Sequence, residues 1–262
     1  MVVTGLVTNV VRLAAGWDEP QRRAWCERLE DRTRAVPPHA VIYRGRNVIF
    51  RDLVEGEEVA VKRFPVASPG KRLVYRLRAT KAVRAFDHAL RLEALGIGTP
   101  QPLAAVEVRR DGWPAASYFC SAYLPEFREA RELRVPGAPD RSLLLGLLGE
   151  FVGRLHELGV VHRDLTSGNV LLVPDRDRPG GVCFQLVDIN RMRFARIGVR
   201  AGVANLVQLR LNDGGEVLEG YCRARGLDPS RLRRLYAARL AWRGVTQGVK
   251  ERTRPWRRRL GL

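Results

Sequence analysis

The order of short and long apolar runs constrains the fold of this chain more than any other feature. Residues 40–64, "AVIYRGRNVIFRDLVEGEEVAVKRF", contain three short apolar or alternating runs separated by the turn-forming segments "RGRN" and "VEGEE". This pattern predicts a three-stranded antiparallel meander. The runs "LAAVEV" and "ASYFCSAYL", joined by "RRDGWP", predict two further strands. Between the meander and these strands, apolar residues of 80–95 recur at helical spacing until Gly96, which predicts a single helix.

After Pro125 the sequence becomes helical in character. Residues 140–158, "DRSLLLGLLGEFVGRLHEL", predict an apolar helix that ends at Gly159, and "VLLV" with "VCFQLVDI" predicts a hairpin. A polar helix is expected over residues 19–34. We therefore predict an α+β fold of two lobes: an N-terminal helical extension at 1–38, a β-rich N-lobe at 39–124 and a helical C-lobe at 125–262.

The chain is strongly basic, and nearly all of its positive charge comes from arginine. Its 262 residues carry a formal net charge of +18, and only four of the 46 basic residues are lysines. Such an excess of arginine is typical of a genome whose coding favours arginine, and it is equally typical of a protein that binds a polyanion. Each lysine is therefore a stronger candidate for a functional residue. A lysine is expected to persist where a compact ammonium is needed and a planar guanidinium does not fit. The four are Lys62, Lys71, Lys81 and Lys250.

Neither a membrane span nor a secretory signal is predicted. No uncharged apolar run approaches the roughly 18 residues that a membrane-spanning helix needs, and the apolar amino end lacks the basic region of a signal peptide. The four cysteines are far apart and form no C-x-x-C pair, which argues against a zinc cluster or a disulfide framework. The sequence therefore predicts a cytoplasmic protein.

Four polar residues in three separate segments supply the groups that phosphoryl transfer requires. Such a site holds nucleotide phosphates, binds Mg²⁺ and orients or deprotonates the attacking hydroxyl. Lys62 ends the third strand of the meander, Asp164 and Asn169 lie in "HRDLTSGN", and Asp188 follows a predicted strand in "FQLVDIN". Carboxylate and amide oxygens suit Mg²⁺, and an ammonium suits phosphates. Their joint occurrence favours catalysis over a polar loop in which Asx side chains satisfy backbone groups.

In these segments, over about residues 40–194, the sequence resembles the protein-kinase-like fold. The signatures of that fold are a lysine on strand three, H-R-D-x-x-x-x-N and a metal-binding aspartate after a later strand. The resemblance implies ATP and Mg²⁺ as cofactors, with Lys62 on the α- and β-phosphates. It also implies that Asp164 orients or deprotonates the acceptor hydroxyl, and that Asn169 and Asp188 bind Mg²⁺.

The motifs do not specify which carboxylate pairs with Lys62 or which groups contact the nucleotide phosphates from the first turn. Asp87, on the helix after the meander, is the expected partner of Lys62, with Glu93 as the second choice. The first turn has a single glycine, Gly45 in "YRGRN", where protein kinases have G-x-G-x-x-G. Backbone N–H groups at Gly45 and the side chain of Arg46 are therefore expected to cover the phosphates.

The acceptor is suggested by a narrower resemblance. Asn190 stands where kinases have a glycine after the metal-binding aspartate, and we expect it to keep the turn because asparagine tolerates left-handed backbone. No A-P-E motif follows. The segments "GRN…VKRF", "RLEALGIGTPQPLAA", "HRDLTSGNVLL" and "LVDINRMRF" resemble the bacterial lipopolysaccharide kinase family. That resemblance implies transfer to a core sugar, Kdo or heptose, at the cytoplasmic face of the inner membrane.

Two other functions stay open at this point. A protein kinase, or another small-molecule phosphotransferase of the same fold, would carry the same motifs. A nonenzymatic pseudokinase or basic nucleic-acid-binding scaffold would fit the charge, although no RNA-reading motif is visible. The last 40 residues hold 13 basic and two acidic residues, with Trp242 and Trp256 among the arginines. This composition fits either a solvated helical face or peripheral contact with an anionic membrane.

Overall fold

The computed structural model describes residues 6–66, 68–137, 140–211 and 215–242, and the chain divides into two compact units. The first unit runs to Phe127 and includes Gln185–Arg191; the second holds Arg128–Phe184 and the residues from Met192 onward. The strands are β1 (Val7–Leu13), β2 (Val41–Arg44), β3 (Val48–Val54), β4 (Glu57–Pro65), β5 (Pro102–Arg110), β6 (Trp113–Ala122), β7 (Arg128–Glu129), β8 (Val160–His162), β9 (Val170–Pro174), β10 (Val182–Leu186) and β11 (Met192–Phe194). The helices are α1 (Pro20–Glu27), α2 (Leu29–Arg34), α3 (Pro69–Leu77), α4 (Lys81–Ala94), α5 (Arg141–Glu157), α6 (Val199–Leu206) and α7 (Glu216–Ala224), followed by α8 over 229–242.

A six-stranded sheet forms the first unit, in the order β1-β5-β6-β4-β3-β2. The predicted meander is confirmed, because β2, β3 and β4 pair antiparallel in sequence. The two further strands are confirmed as the antiparallel pair β5 and β6. Lys62 lies opposite Ile49 on β3 and Phe119 on β6. Its backbone is therefore held on both sides within the sheet.

The amino-terminal segment differs from the helical extension that the sequence predicts. Val7–Leu13 pairs antiparallel with β5 and forms an edge of the sheet. Val11 and Leu13 pack against the core, whereas Val7 and Val10 stay exposed. A short β-branched run with alternating burial suits an edge strand better than a helix. The polar helix expected over 19–34 is present as two helices, α1 and α2, that meet at Arg28.

Helices α1 and α2 are fixed to the sheet by a buried aromatic ring and a paired carboxylate. Trp25 and Leu29 lie in the same buried cluster as Phe50. Arg32 donates from Nε and Nη2 to the two carboxylate oxygens of Asp52, both at 2.5 Å, and Trp25 Nε1 donates to the same carboxylate at 3.0 Å. A two-pronged Arg–carboxylate pair combines charge with fixed geometry, so it orients α2 on β3.

Helix α4 forms where the sequence predicts it. Its N-cap is Thr80, whose Oγ1 accepts from the Val83 N–H at 3.5 Å, and its apolar stripe is buried. The helix ends before Gly96, which takes the left-handed φ of +65°. The chain after α4 is tied to the end of β10, because the Leu186 N–H donates to the Gly98 carbonyl at 2.9 Å.

In the second unit, helices α5 and α7 approach closely. A Cβ added to Gly149 on α5 would meet the backbone of Val217 and lie 2.9 Å from the nitrogen of Tyr221. A Cβ added to Gly220 on α7 would meet the carbonyl of Gly146. Glycine is therefore required at these positions by space.

Short antiparallel strand pairs complete the second unit, with β7 on β9 and β8 on β11. The predicted hairpin is present, since β9 and β10 are neighbours in one sheet. Among the described residues, no helix is long and apolar enough to cross a membrane.

Candidate active site

Lys62 and Asp188 form an ion pair in the first unit. Lys62 Nζ lies 2.8 Å from Asp188 Oδ1, and the Lys62 side chain is 18% exposed. Because Val59, Val61 and Lys62 alternate along β4, the two valines are buried in the core and the ammonium lies on the opposite face. Both partners are predicted separately from the sequence, and the structure brings them together across 126 positions.

Asp188 lies in a constrained turn after β10. It is in the left-handed region with φ of +55°, and Asn190 Nδ2 donates to its Oδ1 at 2.7 Å. The expectation that Asn190 would be the left-handed residue was wrong: Asp188 takes that conformation, and Asn190 acts through its side chain. Aspartate tolerates this region because its short polar side chain bonds locally. The carboxylate is therefore fixed by its own backbone and by two donors.

Helix α4 holds this turn through His88, a residue that the sequence analysis did not select. His88 Nδ1 donates to the Ile189 carbonyl at 2.7 Å, so the ring carries its proton on that nitrogen. Burial lowers the pKa of His88, although the bond to Ile189 acts in the opposite direction. A histidine seven residues into an amphipathic helix has no sequence signal that distinguishes such an anchor from a surface residue.

The expected pairing of Lys62 with Asp87 was wrong. Asp87 contacts Arg12 of β1 at 3.3 Å, and half of its side chain is exposed. Glu93, the second choice, lies one to two turns further along α4 and is exposed; partial desolvation of its carboxyl raises its pKa. Successive helix residues are rotated by about 100°, so His88 faces the Asp188 turn and Asp87 does not.

Four cations around Asp188 and Lys81 form a group that we call the cationic cluster: Lys62, Lys71, Lys81 and Arg46. Lys62 and Lys81 place their ammonium nitrogens 5.4 and 5.7 Å from the ring centroid of Phe64. Burial lowers the pKa of Lys81, and the nearby charges of Lys71 and Arg46 lower it further, while Asp188 raises it. Several cations thus face one carboxylate, and an anion would be bound favourably there.

Gly45 and Arg46 form the exposed turn between β2 and β3. The Gly45 N–H donates to the Asn47 carbonyl at 2.9 Å, and a Cβ at Gly45 would meet the ring of Tyr43. Arg46 is close enough to Lys81 to affect its pKa. The turn that the sequence analysis selected therefore contributes a charge to the cationic cluster, whereas Lys81 was not selected despite the scarcity of lysine.

Asp164 and Asn169 lie in the second unit, in a loop whose own backbone holds it. Asn169 Nδ2 donates to the Asp164 carbonyl at 2.8 Å, and the Asp164 N–H donates to His162 Nδ1 at 3.1 Å. The Leu165 N–H donates to Gln208 Oε1 at 3.2 Å. Since Asn169 uses its amide nitrogen in the loop, the chemistry that it can offer a metal is that of an oxygen ligand.

A buried hydrogen-bond network holds the strand that precedes this loop. His156 on α5 contacts Tyr221 Oη at 2.9 Å and Asn205 Oδ1 at 3.0 Å, and Asn205 Nδ2 donates to the His162 carbonyl at 3.0 Å. His156 and Asn205 are 3% and 4% exposed. Three helices therefore converge on the strand that leads into the Asp164 loop. No local sequence signal marks these positioning residues, because they come together only in the folded unit.

The chain is similar to known proteins both in fold and in parts of its sequence. A solved structure described as WaaP in complex with acyl carrier protein matches with a TM-score of 0.59 and 21% identity, over 89% of this chain and 95% of that one. This match confirms the predicted kinase-like α+β fold.

Curated relatives match over parts of their length. A rice protein (Oryza sativa subsp. japonica) assigned as cyclin-dependent kinase F-2 is 33% identical over 138 residues, which is 49% of this chain and 39% of that protein. The anti-Muellerian hormone type-2 receptor of Rattus norvegicus is 29% identical over 146 residues, 53% of this chain and 24% of the receptor. The chain thus spans well under half the length of these relatives.

A family model gives the narrowest assignment. The model described as "Lipopolysaccharide kinase (Kdo/WaaP) family" matches residues 70–214, more than half of the chain and the segments that hold Lys81, Asp164, Asn169 and Asp188. The resemblance found in the sequence motifs is confirmed. The chain belongs to the lipopolysaccharide kinase (Kdo/WaaP) family.

Proposed function

We propose that the chain transfers the γ-phosphoryl group of ATP, in a Mg²⁺-dependent reaction, to a hydroxyl of a lipopolysaccharide-core sugar, Kdo or heptose. The Lys62–Asp188 pair within the cationic cluster carries this proposal. It joins a phosphate-binding cation to a metal-binding carboxylate, as phosphoryl transfer requires. Family membership supports the reaction class, and the same membership supports the sugar acceptor.

In the first unit, the proposed role is to bind the nucleotide phosphates. Lys62 and Lys81 both offer compact ammonium groups beside Phe64, and Arg46 offers donors from the turn above β3. The phosphate chain of Mg·ATP is an anion that matches this surplus of positive charge. Asp188, held by Asn190, would offer its carboxylate to the metal while Lys62 contacts the phosphates.

In the second unit, the proposed role is to act on the acceptor. Asp164 would orient the sugar hydroxyl and accept its proton as the bond to phosphorus forms. The loop around it is already held by His162, Asn169 and Gln208. A fixed base lowers the barrier because its orientation is set before the reaction begins.

Mg²⁺ fits the donor set that the proposal assigns. Asp188 offers a carboxylate and Asn169 an amide oxygen, and Mg²⁺ in nucleotide sites is typically held by one or two protein oxygens together with phosphates and water. Within the ranges that the structure describes, no group of three or more His, Cys, Asp and Glu side chains is arranged to hold a metal ion. When bound, the ion would offset negative charge on the transferring phosphoryl group.

Location and partners extend the proposal. We place the enzyme at the cytoplasmic face of the inner membrane, where a glycolipid acceptor is accessible. The basic segment from Arg254 to Leu262 is proposed to contact anionic lipid; it lies outside the described residues. The acyl carrier protein bound to WaaP in the solved neighbour is a further candidate partner, and its binding can be assayed directly.

The decisive test is transfer of radiolabelled γ-phosphate from ATP to a panel of lipid A–core acceptors, with a peptide as control substrate. We expect labelling of Kdo- or heptose-containing acceptors that depends on Mg²⁺. Asp164→Asn should keep ATP affinity and lose turnover, and Lys62→Arg should lose about 10²-fold or more in kcat/KM because the guanidinium is wider than the ammonium.

Each alternative gives a different result in this assay. Labelling of the peptide and not of the glycolipid would identify a protein kinase of the same fold. Absence of transfer to any acceptor, with ATP still bound, would favour a nonenzymatic pseudokinase. Equal activity of wild type and Asp164→Asn would contradict the role proposed for that loop.

A further inference from the structure

Helix α3 exposes an apolar face to solvent. Leu73, Val74 and Leu77 are 55%, 49% and 81% exposed, and no residue of the helix is buried. At about 100° per residue these three side chains fall within a quarter to a third of the helix circumference. An amphipathic helix of a globular domain normally turns such a face toward the core, whereas α3 turns it outward.

The helix is well formed despite this exposure. Ser68 is its N-cap, and its Oγ accepts from the Lys71 N–H at 3.4 Å, with Pro69 at the first helical position. At one edge of the apolar face, the Arg76 guanidinium stacks 4.6 Å from the ring centroid of Trp113 on β6. This contact fixes the rotation of α3, so its apolar face is a stable feature of the first unit.

Positive charge surrounds the apolar face. Residues 59–86 contain eight lysines and arginines and no aspartate or glutamate. Lys71 and Arg78 flank the face on one side and Arg76 on the other, by their positions on the helix, and all three are exposed. A short helix with leucines on one side and cations along both edges has the composition of an interfacial helix that lies on an anionic bilayer.

We propose that α3 is a membrane-contact helix that inserts Leu73, Val74 and Leu77 between anionic lipid headgroups, with Lys71 and Arg78 on the phosphates. A second copy of the chain is disfavoured as the occupant, because pairing two α3 faces would bring their cations together. Charge complementarity favours an anionic surface, and the exposed leucines favour one that also accepts apolar side chains. The proposal goes beyond the phosphotransferase activity and does not depend on it.

The test is binding of the whole chain to phosphatidylcholine vesicles with and without phosphatidylglycerol. We expect binding only to the anionic vesicles. Leu73→Ser and Leu77→Ser should each weaken it by on the order of tenfold at any salt concentration. Lys71→Gln and Arg78→Gln should each weaken it by on the order of fivefold at low salt and less at high salt.

Two controls separate this surface from others. Leu143→Ser removes a leucine of α5 that is 50% exposed and should leave vesicle binding unchanged. Polyglutamate serves as a soluble acidic probe. If the leucine variants lose polyglutamate binding as strongly as vesicle binding, the surface fits an acidic protein and the membrane assignment is wrong.

The proposal is also overturned if the leucine variants bind vesicles normally and only removal of Arg254–Leu262 abolishes binding. Phosphate transfer to a soluble sugar acceptor should be equal in wild type and in the Leu73→Ser, Leu77→Ser and Arg78→Gln variants, none of which changes the cationic cluster. Loss of that activity in every protein would instead contradict the proposed function, so the two failures are distinguishable.

Discussion

Acidification should destabilise the second unit through His156. Since Arg225 Nη1 donates to Tyr221 Oη at 2.7 Å, the tyrosine hydroxyl is oriented to donate its own proton to His156 Nδ1 at 2.9 Å. Asn205 Nδ2 is committed to the His162 carbonyl, so Asn205 Oδ1 accepts from His156 Nε2–H. The network therefore accommodates the neutral imidazole. A second proton, on His156 Nδ1, would point at the Tyr221 hydroxyl proton.

The size of the effect follows from the pKa of His156. Burial lowers it from an ordinary value of 6.5 to about 4. Between these values the unfolded chain binds a proton that the folded chain does not, so the free energy of unfolding falls as pH decreases. The stability is complete above pH 6.5, and about 3 kcal/mol of it is lost on reaching pH 4, at 1.36 kcal/mol for each pKa unit.

Urea unfolding at a series of pH values measures this loss, and His156→Gln isolates it from other titrating groups. Glutamine can donate and accept in the same network but does not titrate, so the variant should lose about 3 kcal/mol less than wild type between pH 7 and pH 4. His39→Gln, at an exposed position, should follow the wild-type curve. Parallel curves for wild type and His156→Gln would refute the reasoning.

Three further perturbations test the site and the packing. Lys81→Gln should raise the KM for ATP about tenfold, measured by steady-state kinetics, while Arg91→Gln, at an exposed position on the same helix, should not. Asp188→Asn should abolish Mg²⁺-dependent nucleotide binding in calorimetry and leave the circular dichroism spectrum unchanged, because it removes the proposed metal ligand and no core side chain. Gly220→Ala should lower the free energy of unfolding by about 2–3 kcal/mol through overpacking, whereas Gly70→Ala, inside α3 where a Cβ meets nothing within 4 Å, should not lower it.

Local patterns were sufficient to predict most elements of the fold. The meander has turn residues at both connections, α4 has an N-cap and a buried stripe, and α5 has a long apolar run that ends at glycine. In each case a short stretch of sequence determines the hydrogen bonds and the buried face of the same stretch. Edge strand β1 lacks such a signal, since it is stabilised by β5, and helix α3 has an N-cap signal but no buried face.

The site was predictable in its residue types and only partly in its contacts. Motif spacing selects Lys62, Asp164, Asn169 and Asp188 as candidates, and the structure pairs the first with the last. The carboxylate that pairs with Lys62 depends on the rotation of α4 and on a turn 126 positions away, and neither is encoded within a local window. The same reason explains why His88 was missed.

The close approach of α5 and α7 has a consequence for synthesis of the chain on the ribosome. All of α5, with its buried leucines, has been synthesised once residue 157 is added. The helix against which it packs, α7, ends only at Ala224. Roughly 70 residues must therefore be added while an apolar helix lacks its partner, and exposed apolar surface of this kind favours aggregation or chaperone binding. Translation pauses within residues 158–224 would lengthen that exposure, so the yield of folded protein should depend on codon choice in this segment more than in the sheet.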